Sequence, residues 1–403
     1  MKPTPRSLLT GLALALVLSQ AAWAEPASAL AAAVDAAWRR SSASAETAGQ
    51  ARRALAQRTA ASAWWPSSPA IEIGVTRDRQ RANGTSRETE VGFAVPLWLP
   101  GQRGARLDEA SADAAAASAF AAVARWRVAG AVREAAADVA VQRAELDTAQ
   151  LHSRELDALA KDVERRVAAG ELARADTLAA DAERLAAAGA VLQSRQRLQT
   201  AQLQWRALTG LDVVPALRSG DATAAGSAEA HPALAAAARN VELARRRVEV
   251  ANASRRDAPE LIVRARQEVA SGEPNTNGVG VALRIPFGTA ARNQPLQAAA
   301  LSELEVAEAA ERELQQRIEA DVEAARLAET SARQQLEDEG ARAQLLRERA
   351  SLIRKSFDAG ETALPDMLRA LTAAAHAESS FTRQQAALAQ AASRLRQALG
   401  VMP

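Results

Sequence analysis

The chain contains no cysteine and no tyrosine, only three methionines and three histidines, and few aromatic residues of any kind. Without cysteine it cannot form a disulfide scaffold, a cysteine-ligated metal site or a lipid anchor on an N-terminal cysteine. Its charges nearly balance, with 50 Lys and Arg residues against 48 Asp and Glu residues. This balance indicates no nucleic-acid surface. After the first 24 residues no uncharged apolar run reaches the length of a transmembrane helix.

The first residues have the pattern of an export signal. Lys2 and Arg6 precede an apolar run over 8–18, and Ala22-Trp23-Ala24 has the form of a cleavage site. The alternative is a membrane anchor, but the run is shorter than the roughly 20 residues that a spanning helix needs. We therefore expect a signal peptide over 1–24 and a mature protein that is periplasmic, secreted or inserted in a membrane as a β-barrel.

The sequence of the mature chain indicates a tandem duplication of one unit. A shift of 190 residues aligns Pro69 with Pro259, Gly170 with Gly360, Asp176 with Asp366 and Gly210 with Gly400, without a gap. Alanine matches carry little weight in so alanine-rich a chain, whereas these landmarks fall at breaks between elements. We predict a first repeat over 25–210, a linker over 211–230 and a second repeat over 231–403.

Each repeat is predicted to run helix, β-hairpin, long helix, sharp turn, helix, so the fold class is mainly α with a small β part. Period-2 alternation predicts strands, and breaker-free stretches predict helices. The predicted strands are 70–76, 87–95, 260–267 and 279–286; the long helices are 105–168 and 292–357; the turns are 169–172 and 358–362; the shorter helices of the first repeat are 29–61 and 173–208. Heptad spacings such as Leu178, Leu185 and Leu192 predict coiled-coil packing between the helices.

Aromatic residues flank the predicted strands at Trp64, Trp65, Trp98 and Phe287. Such belts are typical of strands that cross a bilayer. The alternative is a soluble hairpin packed on a helix, with the tryptophans in its core. Four strands cannot close a membrane barrel, so the membrane interpretation requires chains to pool strands: twelve from three chains or eight from two.

Four phrases at equivalent places in the two repeats carry a family resemblance. They are Val95-Pro96-Leu97-Trp98-Leu99-Pro100-Gly101-Gln102-Arg103, Arg284-Ile285-Pro286-Phe287-Gly288, Val167-Ala168-Ala169-Gly170-Glu171-Leu172 and Phe357-Asp358-Ala359-Gly360-Glu361-Thr362. With the duplication and the paired hairpins, they make the mature chain resemble the TolC-type outer-membrane efflux channels, most closely the cobalt–zinc–cadmium efflux branch.

The resemblance implies a homotrimer in the cell outer membrane, with a twelve-stranded β-barrel in contact with outer-membrane lipid and a periplasmic α-helical coiled-coil tunnel. It further implies a passive exit duct for heavy-metal cations that works with a periplasmic adaptor protein and an inner-membrane efflux pump of the proton-driven RND type. A soluble periplasmic coiled-coil adaptor is the competing function. An adaptor would have one helical hairpin between β-rich halves, whereas this sequence predicts two equivalent hairpins.

The resemblance also assigns the sites. The two turns would be periplasmic tips where the adaptor docks, with Gly170, Glu171, Leu172, Gly360, Glu361 and Thr362. Asp366 would line an acidic constriction, although Arg369 stands where the family usually has a second acid. The alternatives are a plain helix–turn–helix bend, which also needs the glycines, and a first-turn acid that complements the helix dipole.

Motifs for catalysis and for metal binding are missing. The sequence has no phosphate-binding loop, no H-E-x-x-H and no recognisable nucleophile motif. None of His152, His231 and His376 has a ligand partner at helical spacing that the repeat preserves. We predict no catalytic residue, no cofactor and no resident metal. The arginine clusters 245–247 and 255–256 are interpreted as a solvated helix face or, alternatively, as an interfacial or adaptor contact.

Overall fold

A computed structural model describes residues 26–80, 84–216, 230–270, 274–287 and 290–403. The predicted signal peptide, 1–24, lies outside the described residues, as do residues 217–229 of the predicted linker. Within the described ranges, every helix is too short or too polar to cross a membrane.

The two repeats contain the same succession of elements. The first comprises α1 (Pro26–Arg40), α2 (Ser42–Ala61), β1 (Ala70–Gln80), β2 (Gly84–Pro96), α3 (Gln102–Ala168) and α4 (Arg174–Thr209). The second comprises α5 (Pro232–Ala253), β3 (Glu260–Ala270), β4 (Thr276–Arg284), α6 (Ala290–Asp358) and α7 (Leu364–Ala398). Helices α3 and α6 have 67 and 69 residues, so each is about 100 Å long at a rise of 1.5 Å per residue.

The predicted helix over 29–61 is wrong in one respect, because it breaks at Ser41. Ser41 adopts an extended conformation, and its side chain accepts a hydrogen bond from the Ser44 amide at 3.2 Å. A serine that satisfies an amide at a helix N-terminus favours a new start. Gly49, the only breaker in the sequence of this segment, lies inside α2. His231, 190 residues after Ser41, caps α5 in the same way through its Nδ1 atom.

The strands extend further towards the hairpin turns than the alternation predicted. Strand β2 includes Pro96, which lies opposite Glu260 on the neighbouring strand. Strand β4 ends at Arg284, so Ile285 and Pro286 are outside it, against the prediction of 279–286. Strand β2 continues to its proline and β4 stops before its own because β2 has a hydrogen-bonded strand on each side, whereas β4 has only β3.

The short helices of the first repeat line up along α3. Val34 of α1, Val132 of α3 and Trp205 of α4 belong to one buried cluster near the middle of α3. Helix α1 therefore meets the end of α4 there, while α2 continues beside the first half of α3 and α4 beside the second half. The short helices of the first repeat therefore stack end to end along the long helix.

A second core joins the two helical hairpins near their turns. It contains Leu156 and Val163 of α3, Phe357 of α6 and Met367 of α7, all nearly or fully buried. The hairpin α3–α4 and the hairpin α6–α7 therefore pack on each other at the end of the molecule that carries both turns.

The residues of α4 that pack within the chain do repeat every seven positions, but they are not the leucines that the sequence predicted. Leu178, Leu185 and Leu192 are 65%, 61% and 64% exposed. The residues of α4 that pack against the rest of the chain are small and also seven apart: Ala180, Ala187, Ser194 and Ala201. Small side chains allow the close approach of α4 to α3, which leaves the leucines on the outer face.

Candidate functional site

The four strands form one antiparallel sheet in the order β1-β2-β3-β4. The hairpins of the two repeats are joined through β2 and β3, with Phe93 opposite Val263. Strands β1 and β4 are the two edges and run in opposite directions, because the sheet alternates throughout. Within the described part of the chain, each has one side with no strand beside it.

One face of this sheet is apolar across its whole width. Ile71 lies opposite Phe93, Phe93 opposite Val263, and Val263 opposite Val281. The next row on the same face consists of Ile73, Val91, Ala265 and Val279. Ile71 and Val281, at the two edges, are 69% and 70% exposed. The chain therefore leaves an extended apolar surface uncovered, which is rare for a soluble monomer.

The opposite face of the sheet is charged. Arg264 pairs with Glu90 at 3.3 Å, and Arg266 pairs with Glu88 at 2.8 Å, both between β2 and β3. Cross-strand pairs of opposite charge stabilise a sheet face that is in contact with water. A sheet with an exposed apolar face and an ion-paired opposite face has the surface chemistry of a wall between lipid and an aqueous lumen.

The four predicted interface aromatics lie at one end of the sheet, before β1, after β2 and after β4. Trp64 and Phe287 are 84% and 94% exposed, which rules out the alternative that they belong to a core. Trp65 is also exposed. Trp98 is partly buried, and its indole N–H donates to the Ala63 carbonyl at 3.3 Å. The membrane-interface role of these residues stays a prediction.

Both predicted tips end in the same backbone motif. At the first, the Gly170 amide donates to the Val167 carbonyl at 3.0 Å and the Glu171 amide to the Arg166 carbonyl at 2.9 Å. Gly360 and Glu361 repeat these two bonds at the second tip. The φ values of the glycines are 82° and 78°, in the left-handed region that favours glycine at this position.

The other tip residues differ in their surroundings. Glu171 and Glu361 are exposed. Leu172 packs against the core shared by the two hairpins. The Thr362 hydroxyl bonds the Ser356 hydroxyl at 2.6 Å. Each tip thus presents an acid to solvent on a turn whose backbone bonds are satisfied.

Arg166 connects the two tips, which the sequence did not predict. Its guanidinium donates to the Phe357 carbonyl and to the Asp358 carboxylate, each at 3.2 Å, and lies 4.9 Å from the centre of the Phe357 ring. It also pairs with Asp162 on its own helix at 2.9 Å. The residue 190 positions later is Ser356, so the repeat comparison gave no signal for this contact.

Asp176 and Asp366, which occupy equivalent positions at the starts of α4 and α7, have different partners. Asp176 accepts a hydrogen bond from the Ala173 amide at 3.1 Å and therefore caps α4. Asp366, at the equivalent place in α7, pairs with Arg369 one turn later. Both Asp366 and Arg369 are exposed. Whether Asp366 lines a constriction stays a prediction, but its charge is already partly compensated within its own helix.

The arginine cluster 245–247 is paired within the chain. Arg245 binds Glu308 of α6 at 3.1 Å, and Arg247 binds Glu303 of α6 at 3.0 Å. Arg246 pairs within its own helix. This supports the interpretation of a solvated, salt-bridged helix face between α5 and α6.

The histidines do not form a metal centre. In the described ranges, no group of three or more potential ligands is close enough to hold a metal ion. Burial lowers the pKa of His152, and His376 adds to this effect, while Glu155 and Glu183 oppose it. His231 serves as a helix cap.

The helices, like the strands, form an open row. Near the tips, α3 packs against α4 and α7, and α7 packs against α6, which leaves α4 and α6 as the outer members. The outer face of α4 carries the exposed leucines of the heptad spacing. The outer face of α6 carries a similar pair, Leu345 and Leu352, which are 66% and 58% exposed.

No protein-family model and no curated protein sequence matches the chain, but solved structures do. The outer membrane protein VceC from Vibrio cholerae matches with a TM-score of 0.75 and 16% identity, over 93% of this chain and 96% of that one. This chain has the fold of outer-membrane channels. The CmeC outer membrane channel of Campylobacter jejuni matches with a TM-score of 0.72 and 14% identity, over 92% of this chain and 85% of that one. The open MtrE outer membrane channel of Neisseria gonorrhoeae matches with a TM-score of 0.71 and 15% identity, over 92% of this chain and 89% of that one. The expected fold class, mainly α with a small antiparallel sheet, is confirmed.

Proposed function

We propose that this protein is the outer-membrane channel of a tripartite efflux system, a passive duct with no catalytic role. The observation that carries the proposal is the two-faced sheet, whose apolar face is open to the surroundings while its other face holds ion pairs. Lipid would cover the apolar face, and water in the lumen would solvate the charged one. The shared fold of the outer-membrane channels supports the same assignment.

The channel is a homotrimer that closes head to tail. Strand β4 of one copy pairs with β1 of the next; because these edges run in opposite directions, the antiparallel pattern continues around a twelve-stranded barrel. Helices α4 and α6, the outer members of the helical row, meet in the same way through their exposed leucines and form the coiled-coil tunnel. Two unlike edges on one chain are what a closed ring of copies requires.

The length of the apolar stretch fits an outer membrane. On β4 and the residues after it, apolar side chains alternate from Val279 to Phe287. Eight intervals of about 3.4 Å span about 27 Å along the strand, and a tilt of about 40° reduces this to about 21 Å, close to the roughly 25 Å apolar band of such barrels. The exposed aromatics Trp64, Trp65 and Phe287, with the partly buried Trp98, would lie at one interface with the lipid headgroups.

The tips dock a periplasmic adaptor protein, which connects the duct to an inner-membrane pump of the proton-driven RND type. The long helices place the tips about 100 Å from the sheet, far enough to cross much of the periplasm. The docking residues are Gly170, Glu171, Leu172, Gly360, Glu361 and Thr362. Satisfied backbones and exposed acids make these turns suitable as preformed contact points.

Heavy-metal cations are the cargo that we propose, following the resemblance to the cobalt–zinc–cadmium branch. Three copies of Asp366 would form the constriction near the tips, each moderated by Arg369. The cations would pass without being held, because the described residues include no group of ligands for a metal.

Membrane fractionation and native mass measurement test the proposal together. The protein should sediment with outer membranes after cell breakage without detergent, and should have the mass of three chains after extraction in mild detergent. A water-soluble monomer or dimer would contradict the barrel and favour the periplasmic adaptor, which should be released with the soluble fraction. Metal tolerance of cells that lack the gene tests the cargo separately.

A further inference from the structure

Two arginines lie directly opposite each other at the end of the sheet that is farther from the aromatic residues. Arg77 of β1 is the register partner of Arg87 of β2. Residues opposed in this way have Cα atoms about 4.5–5.5 Å apart, and their side chains share one face of the sheet. Both side chains are exposed. Because like charges directly opposite each other destabilise a strand pair, an anion between them would stabilise this part of the sheet.

The two arginines belong to the apolar face of the sheet. Side chains alternate between the two faces along a strand, so Arg77 shares a face with Ile73 and Val75, which come four and two residues before it. Arg87 shares the same face with Val91, four residues after it on β2. The arginine pair therefore lies just beyond the apolar rows, on the surface that those rows begin.

The chain does not neutralise this pair within the part that the structure describes. Neither Arg77 nor Arg87 forms an ion pair there, and the acids next to them in sequence, Asp78 and Glu88, belong to the opposite face because side chains alternate. On that opposite face, arginines of the strands pair with glutamates: Arg264 with Glu90, Arg266 with Glu88 and Arg284 with Glu260. An anion for the arginines of the apolar face would have to come from outside the chain.

The distance along β2 relates the arginine pair to the aromatic residues. Strand β2 ends at Pro96, nine residues after Arg87 and beside Trp98. Nine intervals of about 3.4 Å span about 31 Å along the strand. A tilt of about 40° reduces this to about 23 Å, close to the roughly 25 Å apolar band of a membrane barrel. The arginines and the aromatic residues therefore stand at opposite borders of a stretch that has the thickness of this band.

We propose that Arg77 and Arg87 bind a phosphate of a lipid headgroup on the outer side of the outer membrane, where lipopolysaccharide supplies such phosphates. This rests on the proposed function, which places the apolar face in lipid and the tips in the periplasm, and so this end of the sheet at the outer surface. Guanidinium groups bind phosphate oxygens in a bidentate manner, and basic residues beside a membrane attract anionic headgroups. One phosphate between the two side chains would offset their repulsion.

Native mass measurement of the purified full-length protein in mild detergent, with added lipid A, tests the site. The wild type should bind diphosphorylated lipid A more tightly than dephosphorylated lipid A. The double variant Arg77→Gln, Arg87→Gln should bind the diphosphorylated lipid about 30-fold more weakly, at about fivefold per arginine. The double variant Arg317→Gln, Arg326→Gln is the matched control, because it removes the same charge from exposed positions of α6, and it should bind like the wild type.

Three results of this measurement would overturn the proposal. Equal binding of the two lipids by the wild type would show that phosphate is not recognised. Unchanged binding by the Arg77, Arg87 double variant would place the contact elsewhere. Displacement of the lipid by inorganic phosphate at equal concentration would show that the site takes the free ion and would refute its assignment to a lipid headgroup.

Thermal unfolding of the single variant Arg87→Gln gives a second, independent test. In nonionic detergent without lipid A, the variant should have a higher Tm than the wild type, because the repulsion with Arg77 is gone. With diphosphorylated lipid A, it should have the lower Tm, because a phosphate then joins the two arginines of the wild type. A change of Tm in the same direction under both conditions would refute the site. A trimer recovered from outer membranes without this reversal refutes the lipid site alone, whereas a water-soluble protein refutes the channel and the site together.

Discussion

Replacing Leu283 by arginine separates a sheet that faces lipid from one that faces water. Leu283 lies in the middle of the apolar stretch that begins on edge strand β4, and it is 56% exposed in the single chain. In a water-soluble protein, an exposed arginine there should change the free energy of unfolding by less than about 0.5 kcal/mol. On the lipid face of a barrel, near the bilayer midplane, it should cost about 2–4 kcal/mol. Three copies raise this to about 6–12 kcal/mol for a trimer.

Asn277→Arg is the matched control. Asn277 lies on the same strand and the same face, six residues from Leu283, in a row with Gln267 and Thr89 where the apolar stretch ends. An arginine there should cost about 0–1 kcal/mol per chain. Urea titration of the protein folded into lipid vesicles would give both values, and recovery in the outer membrane would report insertion in cells. Equal effects of the two substitutions would refute the orientation of the sheet and, with it, the barrel.

The other predictions concern the tips and the helical edges. Gly360→Val should lower the free energy of unfolding by only about 1–2 kcal/mol, since nothing lies within 4 Å of the added Cβ, yet it should reduce adaptor crosslinking and efflux. Gly400→Val is the control: its Cβ would lie 2.7 Å from Pro232, so it should mainly lower stability. Unimpaired efflux from the Gly360→Val variant would make that turn purely structural. In planar bilayers, Asp366→Ala should raise single-channel conductance and weaken block by multivalent cations, whereas Arg369→Ala should strengthen the block; no change in either would remove Asp366 from the constriction. Leu185→Asp should dissociate the trimer, as measured by native mass, but leave the helix content of the chain unchanged; an intact trimer would place the subunit contact elsewhere.

Hydrophobic periodicity and the positions of glycine and proline predicted most helices and strands, because both signals depend on local chemistry. The glycines at 170 and 360 end the long helices, since glycine alone takes the left-handed conformation without cost. The break at Ser41 escaped prediction because serine is tolerated inside helices and becomes a cap only when the chain turns there. The seam of α4 was assigned to leucines because hydrophobicity suggested burial, but the small residues determine which face can approach α3.

Contacts between the repeats could not be predicted from the repeat pattern. A comparison of the two copies finds residues that both have kept, and so it favours landmarks such as Asp176 and Asp366. Arg166 binds Asp358 across the tips, although its counterpart in the second copy is a serine. Such a contact arises because duplication leaves two similar hairpins side by side in one chain, where either can change independently to fit the other.

The same independence explains why equivalent positions now differ in chemistry while the backbone stays alike. Position 212 has an aspartate that pairs with Arg206, whereas the equivalent position 402 has a methionine. Asp176 caps its helix, whereas Asp366 pairs with Arg369. A ring of six identical, unduplicated hairpins would have to place every one of these groups six times around its axis. In the trimer proposed above, duplication would halve that number. A charge could then stand at three places in the ring and be absent from the other three, so that each set of three could serve one task along the proposed duct.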